Sequence, residues 1–141
     1  VIATASPENI DFVTSLGASE VIDYKAAPFE TQTDPVDIVF DTVGGDTTER
    51  SIQVLKPGGL LLCIVDMPDP GKVAAAGVRA VWGGTKTLLA MKEVHKLLER
   101  ELIKPYVRRV FQSLSAAAAA QEYSKNGGEG RGKIVLKVTE E

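Results

Sequence analysis

The chain has 141 residues, 44% of them apolar and 25% charged, a composition that suits one globular domain with a real core and argues against disorder. A net charge of -3, no block of Lys or Arg, and few aromatic side chains leave neither a phosphate-tracking stripe nor a base-stacking platform, so nucleic acid is excluded as a partner. Cys63 is the only cysteine, which rules out an intrachain disulfide and any multi-cysteine zinc site.

The first predicted strand is Val1 to Ala5, and Ser6-Pro7 then starts a helix carrying Ile10, Phe12, Val13 and Leu16 as its apolar stripe. Gly17 ends that helix, and Glu20 to Tyr24 is the second strand. A loop with Pro28 and Pro35 leads to Val36 to Val43, "VDIVFDTV", whose nearly continuous apolar run predicts a strand covered on both faces. Gly44-Gly45-Asp46 turns into a helix over Thr48 to Leu55, "KPGG" stops it, and Leu60 to Val65 is the next buried strand. The Pro/Gly-rich segment "DMPDPGK" reads as loop before a short strand at Val78 to Trp82. Leu88 to Leu102 is the best helix, with Met91, Val94, Leu97, Leu98 and Leu102 on one face. "YVRRVF", an alanine-rich helix from Ser115 to Lys125, a glycine-rich turn and the strand "KIVLKV" complete the chain. This alternation predicts an α/β fold with a mainly parallel sheet and helices on both faces. No apolar run approaches the ~20 residues of a membrane span, and no charged-then-apolar targeting segment opens the chain, so no membrane partner and a cytoplasmic location are expected.

In open sheets of this class ligands bind beyond the carboxyl ends of the strands. The segments there are Ala5-Ser6, Asp23-Tyr24, Val43-Gly44-Gly45, Ile64-Val65-Asp66 and Val81-Trp82-Gly83. Glycines after strands let backbone N–H groups approach a ligand, although they also make plain turns. The only histidine, His95, sits beside the apolar face of its helix and reads as a surface residue, and no Ser-His-Asp or Cys-His arrangement can be built from it. Asp34, Asp37 and Asp41 lie near one another, but Asp37 and Asp41 fall at strand ends as turn residues, so no metal ligand set is expected.

The motifs "VIATAS…NIDFV.SLGA.EVIDY", "DIVFDTVGGDT.ERS…LKPGG", "VRAV" and "GRGKIVLKV" resemble, as an ordered set, the C-terminal half of the medium-chain dehydrogenase/reductases, in the zinc-independent quinone oxidoreductase and enoyl reductase branch. The resemblance covers nearly the whole chain. It implies a Rossmann domain that presents NADPH to a quinone or activated C=C bond for hydride transfer, opposite a separate N-terminal catalytic domain. In that family the glycine-rich phosphate loop and the central strand lie just before the position of Val1. With no initiator Met, and with an opening inside a βαβ unit, we expect upstream residues to be missing. The expectation is therefore a single incomplete nucleotide-binding domain over 1–141, of which 106–141 returns toward the catalytic domain. "GGEGRG", Gly127 to Gly132, stands between a helix and a strand, the wrong order for a phosphate cradle.

By this resemblance Ser6 ends the strand where an NAD enzyme offers Asp or Glu to the ribose, so its neutral side chain favours NADP; alternatively it caps the following helix. Asn9 stands where some relatives carry a basic residue. Tyr24 matches a tyrosine along the adenosine half, or packs as a strand-end aromatic. Val43, Gly44, Ile64 and Val65 would line the nicotinamide half, Trp82 the substrate side, and Lys133 resembles a cleft-closing lysine, or is a solvated strand-end residue. No catalytic residue is assigned. The function implied is the NADPH-binding part of a reductase, without reductase activity by itself; the alternative is a free-standing non-redox descendant, a small-molecule binding protein or an isomerase or cyclase. Without the central strand, Val1 to Ala5 and Val36 to Val43 would each face an empty slot, for which "KIVLKV" or a second copy is the expected occupant.

Overall fold

The computed structural model describes residues 1–83, 88–127 and 130–138, in two units, Val1–Thr85 and Lys86–Glu141. The first unit opens with strand β1 (Ile2–Ala5), a 3₁₀ turn at Pro7–Asn9 and helix α1 (Ile10–Ser15). Gly17 leaves the helix at φ +100°, a backbone that side-chain-bearing residues rarely adopt. β2 (Glu20–Asp23) then pairs parallel to β1, from Ile2↔Glu20 to Ala5↔Asp23.

β3 (Val36–Asp41), helix α2 (Asp46–Gln53), β4 (Leu55–Cys63), helix α3 (Pro70–Ala75) and β5 (Arg79–Trp82) follow, and the three strands pair parallel in the order β3-β4-β5. Two of these differ from the sequence reading. β4 begins at Leu55, before the "KPGG" segment, because Val36 pairs with Leu55 and the register then shifts to Ile38↔Leu60. The segment read as loop after β4 contains α3: Asp69 caps it by accepting from the Lys72 N–H at 2.9 Å, and Pro70 occupies its first turn.

The core lies on one face of this sheet, where Leu61 and Cys63 meet Ile52 of α2 and Val78, with Val39, Val73 of α3 and Ala80 packed around them. Burying a Leu or Ile side chain contributes about 1.5–3 kcal/mol. The opposite face departs from expectation. Ile38 and Phe40 of β3 and Val81 of β5 are more than half exposed, so "VDIVFDTV" is covered on one face only. Ile52 and Val73 bring α2 and α3 to the Leu61 side, and continuous apolarity in β3 concealed that asymmetry. A second cluster, Ile22, Phe29 and Val54 with Val36 and Val39, joins β2 to β3. Arg50 of α2 holds the Phe29 turn through a bidentate pair with Glu30, Nη2 to Oε2 at 2.6 Å, while its guanidinium lies 4.6 Å from the Phe29 ring centre.

The second unit holds helix α4 (Leu88–Glu99), β6 (Val107–Phe111), helix α5 (Ala117–Lys125) and β7 (Lys133–Leu136). β7 pairs parallel with β6, from Val107↔Lys133 to Phe111↔Leu136. "KIVLKV" therefore does not pair with β1 or β3, correcting the expectation that it fills the slot: among the described residues β1 bonds only to β2 and β3 only to β4. Arg109 stacks its guanidinium on Phe111 and Tyr123, at 4.9 and 4.6 Å from their ring centres. Helix α4 ends at Glu99, short of the predicted Leu102, and its apolar stripe is exposed, Met91 at 62% and Leu98 at 38%.

The end of α4 carries a testable strain. Leu102 N–H bonds to the Leu97 carbonyl and Glu101 N–H to the Leu98 carbonyl, both at 3.0 Å, a Schellman closure with Glu101 at φ 55°. Glycine normally takes that position, and a side chain there costs about 1 kcal/mol. Glu101→Gly is expected to raise the melting temperature by about 2–4 °C; an unchanged or lower value would show that the Glu101 side chain offsets its backbone cost.

Candidate functional site

Two groups of predicted residues gather at strand carboxyl ends in the first unit. The Ala5↔Asp23 register, with Tyr24 N–H on the Ala5 carbonyl at 3.4 Å, brings Ser6 beside Tyr24. Ser6 is buried and Tyr24 is half exposed. Ser6 stands at the N-cap of the 3₁₀ turn with Pro7 after it, as the capping alternative expects, but its side chain makes no cap hydrogen bond. Its hydroxyl accepts from Asn9 Nδ2 at 2.9 Å. Glu8 pairs with Lys25 Nζ at 3.6 Å. The local backbone, then the Ser6 hydroxyl and Lys25, hold the Glu8 carboxyl below its ordinary range.

The second group lies beyond β3, β4 and β5. Asp41↔Cys63 and Cys63↔Trp82 are in register, and the N–H groups of Ile64 and Gly83 bond to the Asp41 and Cys63 carbonyls at 3.2 and 3.0 Å. Val43, Ile64, Val65 and Trp82 are all exposed there, and Gly44 meets Val65. A shallow apolar cavity of about 330 Å³ adjoins Trp82, lined also by Met67, Pro70, Val73 and Val78.

Two residues without an assigned role in the sequence reading build it: Asp41, read there as a turn residue, and Asp66, placed there in a strand-end segment. Asp41 is only 3% exposed, and its carboxylate accepts from the N–H groups of Val43 and Gly44 at 2.8 and 3.0 Å and from the Thr48 hydroxyl at 2.5 Å. Burial pushes its carboxyl up, but the Thr48 hydroxyl and the Gly44 and Val43 N–H groups outweigh this and hold it below the ordinary range. Asp66 Oδ2 accepts the Gly45 N–H at 2.6 Å and ties the loop after β4 to the loop after β3. Gly44 has φ +81°, and a Cβ there would stand 2.5 Å from Asp66 Oδ2 and 2.7 Å from Val65 Cγ1, so only glycine fits. An Asp ending a strand ahead of Gly-Gly was the available signal for Asp41; for Asp66 the signal was only its place at the end of the strand-end segment Ile64-Val65-Asp66.

Lys133 belongs to the second unit, exposed at the start of β7, its N–H on the Tyr106 carbonyl at 2.7 Å. His95 is a surface residue paired with Glu99 at 3.3 Å. Burial, then the charges of Asp41 and Asp66, push the Cys63 thiol up, which opposes a nucleophilic role. Among the described residues no group of three or more His, Cys, Asp or Glu is arranged to hold a metal ion, and no helix is long and apolar enough to cross a membrane. In the "GGEGRG" segment 128–129 lie outside the described residues.

Tyr24 offers an exposed ring at one strand end, and Val43, Ile64 and Val65 offer an apolar wall at the other. The N–H groups of Val43, Gly44 and Gly45, the obvious donors for a pyrophosphate, are already bonded to Asp41 and Asp66.

Parallel strands joined by helices, with loops gathered at their carboxyl ends, define a Rossmann-like α/β fold. The sequence model of the zinc-binding dehydrogenase family matches residues 16–136. The chain belongs to that family, within the medium-chain dehydrogenase/reductases, and corresponds to the C-terminal half of its members. It is 34% identical over 107 residues to an NADPH-dependent alkenal/one oxidoreductase, named as chloroplastic, of Arabidopsis thaliana, covering 76% of this chain and 25% of that protein. It is 33% identical over 107 residues to the 2-methylene-furan-3-one reductase of Solanum lycopersicum, with the same shares covered. Among solved structures, the quinone oxidoreductase from Coxiella burnetii superposes with a TM-score of 0.84 at 33% identity, over 99% of this chain and 45% of that one. The chain thus spans about a quarter of these two curated relatives and under half of the solved enzyme.

Proposed function

We propose that this chain is the cofactor-binding part of an NADPH-dependent reductase acting on quinones or activated C=C bonds, a nucleotide-binding domain over 1–141 whose 106–141 segment returns toward the catalytic domain. The observation that carries this reading is the convergence of Val43, Gly44, Ile64, Val65 and Trp82 at one end of β3-β4-β5, in a chain of this family. NADPH, when bound, supplies the hydride. The side chains named here orient it: Ser6 and Tyr24 at the adenosine end, Val43, Ile64 and Val65 against the nicotinamide, and Gly44 permitting the close approach of the two loops that Asp66 ties together. Lys133 is proposed to close the cleft, and Trp82 to face the substrate. The single reduced cysteine favours a cytoplasmic location, and a homodimer or the catalytic domain is the proposed partner.

Trp82 makes the substrate side measurable because it is the only tryptophan. A quinone titrated into the protein is expected to quench its emission saturably. Quenching that stays linear in quinone, as simple collision gives, would remove Trp82 from the substrate side.

A further inference from the structure

We propose that Lys25, held on the Glu8 carboxylate across the ends of β1 and β2, is the cation that meets the 2′-phosphate of the adenosine ribose, and that Glu8 competes for it. The inference rests on the dinucleotide reading above and assigns the discrimination to a pair of residues not otherwise implicated.

A 2′-phosphate beside Ser6 and Tyr24 needs a positive charge, because hydrogen bonds to a charged group gain most from an ionised partner. Asn9 is neutral, and its amide is engaged with Ser6 Oγ at 2.9 Å. Ser6 is buried at 6% exposure, and its hydroxyl is uncharged. Neither brings charge. Lys25 follows Tyr24 directly, and its Nζ lies 3.6 Å from Glu8 Oε1, with side chains 55% and 65% exposed. Such an exposed pair is worth little, so Lys25 can leave it for a dianionic phosphate at small cost. Glu8 then remains beside the phosphate, and the Asp23 carboxylate, bonded to the Lys25 N–H at 2.8 Å, adds a second negative charge. Preference for the 2′-phosphate is therefore weak in this chain and sensitive to salt. Removing the Glu8 charge strengthens it, and removing the Lys25 charge abolishes it.

The test is a chemical-shift titration of the whole chain, wild type, Glu8→Gln and Lys25→Gln, with 2′,5′-ADP and with 5′-AMP, neither of which needs a pyrophosphate cradle. The quantity read is the ratio of the two affinities. Glu8→Gln is expected to raise the preference for 2′,5′-ADP by about threefold or more and Lys25→Gln to lower it by as much, the scale of one exposed charge contact. If both nucleotides bind and the ratio is unmoved, or moves in the opposite sense, the assignment of Lys25 and Glu8 is overturned while the dinucleotide reading stands. If neither nucleotide moves the resonances of Ser6, Tyr24 and Lys25 in the wild-type chain even about tenfold above the millimolar range, the dinucleotide reading falls and this inference with it.

Discussion

Asp41→Ala is expected to destabilise the chain by about 3 kcal/mol, measured by urea unfolding, against a total of about 5–15 kcal/mol for ordinary domains. The carboxylate is 3% exposed and accepts three hydrogen bonds, from Val43 N–H, Gly44 N–H and Thr48 Oγ1. Alanine leaves those donors without their acceptor where water has little access, so the cost is that of orphaned groups rather than the small net worth of exchanged ones. Asp41→Asn separates shape from charge. Its amide oxygen can still accept from the two backbone N–H groups, so it is expected to cost less than alanine. The acid limb gives a further distinction. Because the folded carboxyl is held below its ordinary value of ~3.9, Asp41 contributes its full stabilisation above that value and loses it as pH falls through the folded pKa. The Asn variant lacks that contribution and should lose less stability than wild type between neutral pH and pH ~3. Equal acid sensitivity in the two proteins would show that Asp41 is not a source of the acid transition.

The same turn shows how far the sequence could be read. Strand-helix alternation, the apolar run of β3 and the glycines after it were visible because period and composition report local structure directly. Asp41 was legible as a strand-end turn residue, but its bond to Thr48 depends on where the first turn of α2 falls, and the sequence reading began that helix two residues late. α3 was hidden for a related reason: Pro and Gly signal a break, yet Asp69-Pro70 is also a helix start, and only packing of Val73 against the sheet decides between them. Burial was the least legible property. The stripe of α4 and the Ile38-Phe40 face of β3 have the composition of core, and exposure there is set by which elements are present to cover them. The Glu8–Lys25 pair and the Asp66 latch join residues 17 and 21 positions apart through strand pairing, beyond any local pattern.

By itself the chain is expected to bind NADPH weakly and to show no reductase activity. Binding a pyrophosphate draws on backbone N–H donors and a helix dipole, with ~1.5–3 kcal/mol for each hydrogen bond to a charged group and ~0.3–1 kcal/mol from the dipole. The donors at the end of β3 are committed: Val43 and Gly44 to Asp41, Gly45 to Asp66. A phosphate entering there would also have to displace Asp66 at an opening that Asp46 and Glu49 of α2 and Asp69 at the start of α3 also line, so like charges oppose it. Forgoing two charged hydrogen bonds alone removes about 3–6 kcal/mol, a loss of roughly a hundredfold to ten-thousandfold in affinity. Calorimetry on the chain is therefore expected to give dissociation constants no better than the millimolar range, while a longer protein that supplies a glycine-rich phosphate loop and a catalytic domain should bind NADPH tightly and reduce a quinone or enone. Micromolar NADPH binding by this chain would mean that a phosphate site exists outside the loops after β3 and β4. An Asp66→Asn variant then identifies it: tighter binding locates the phosphate at the Gly45 N–H, and unchanged binding places it away from that loop.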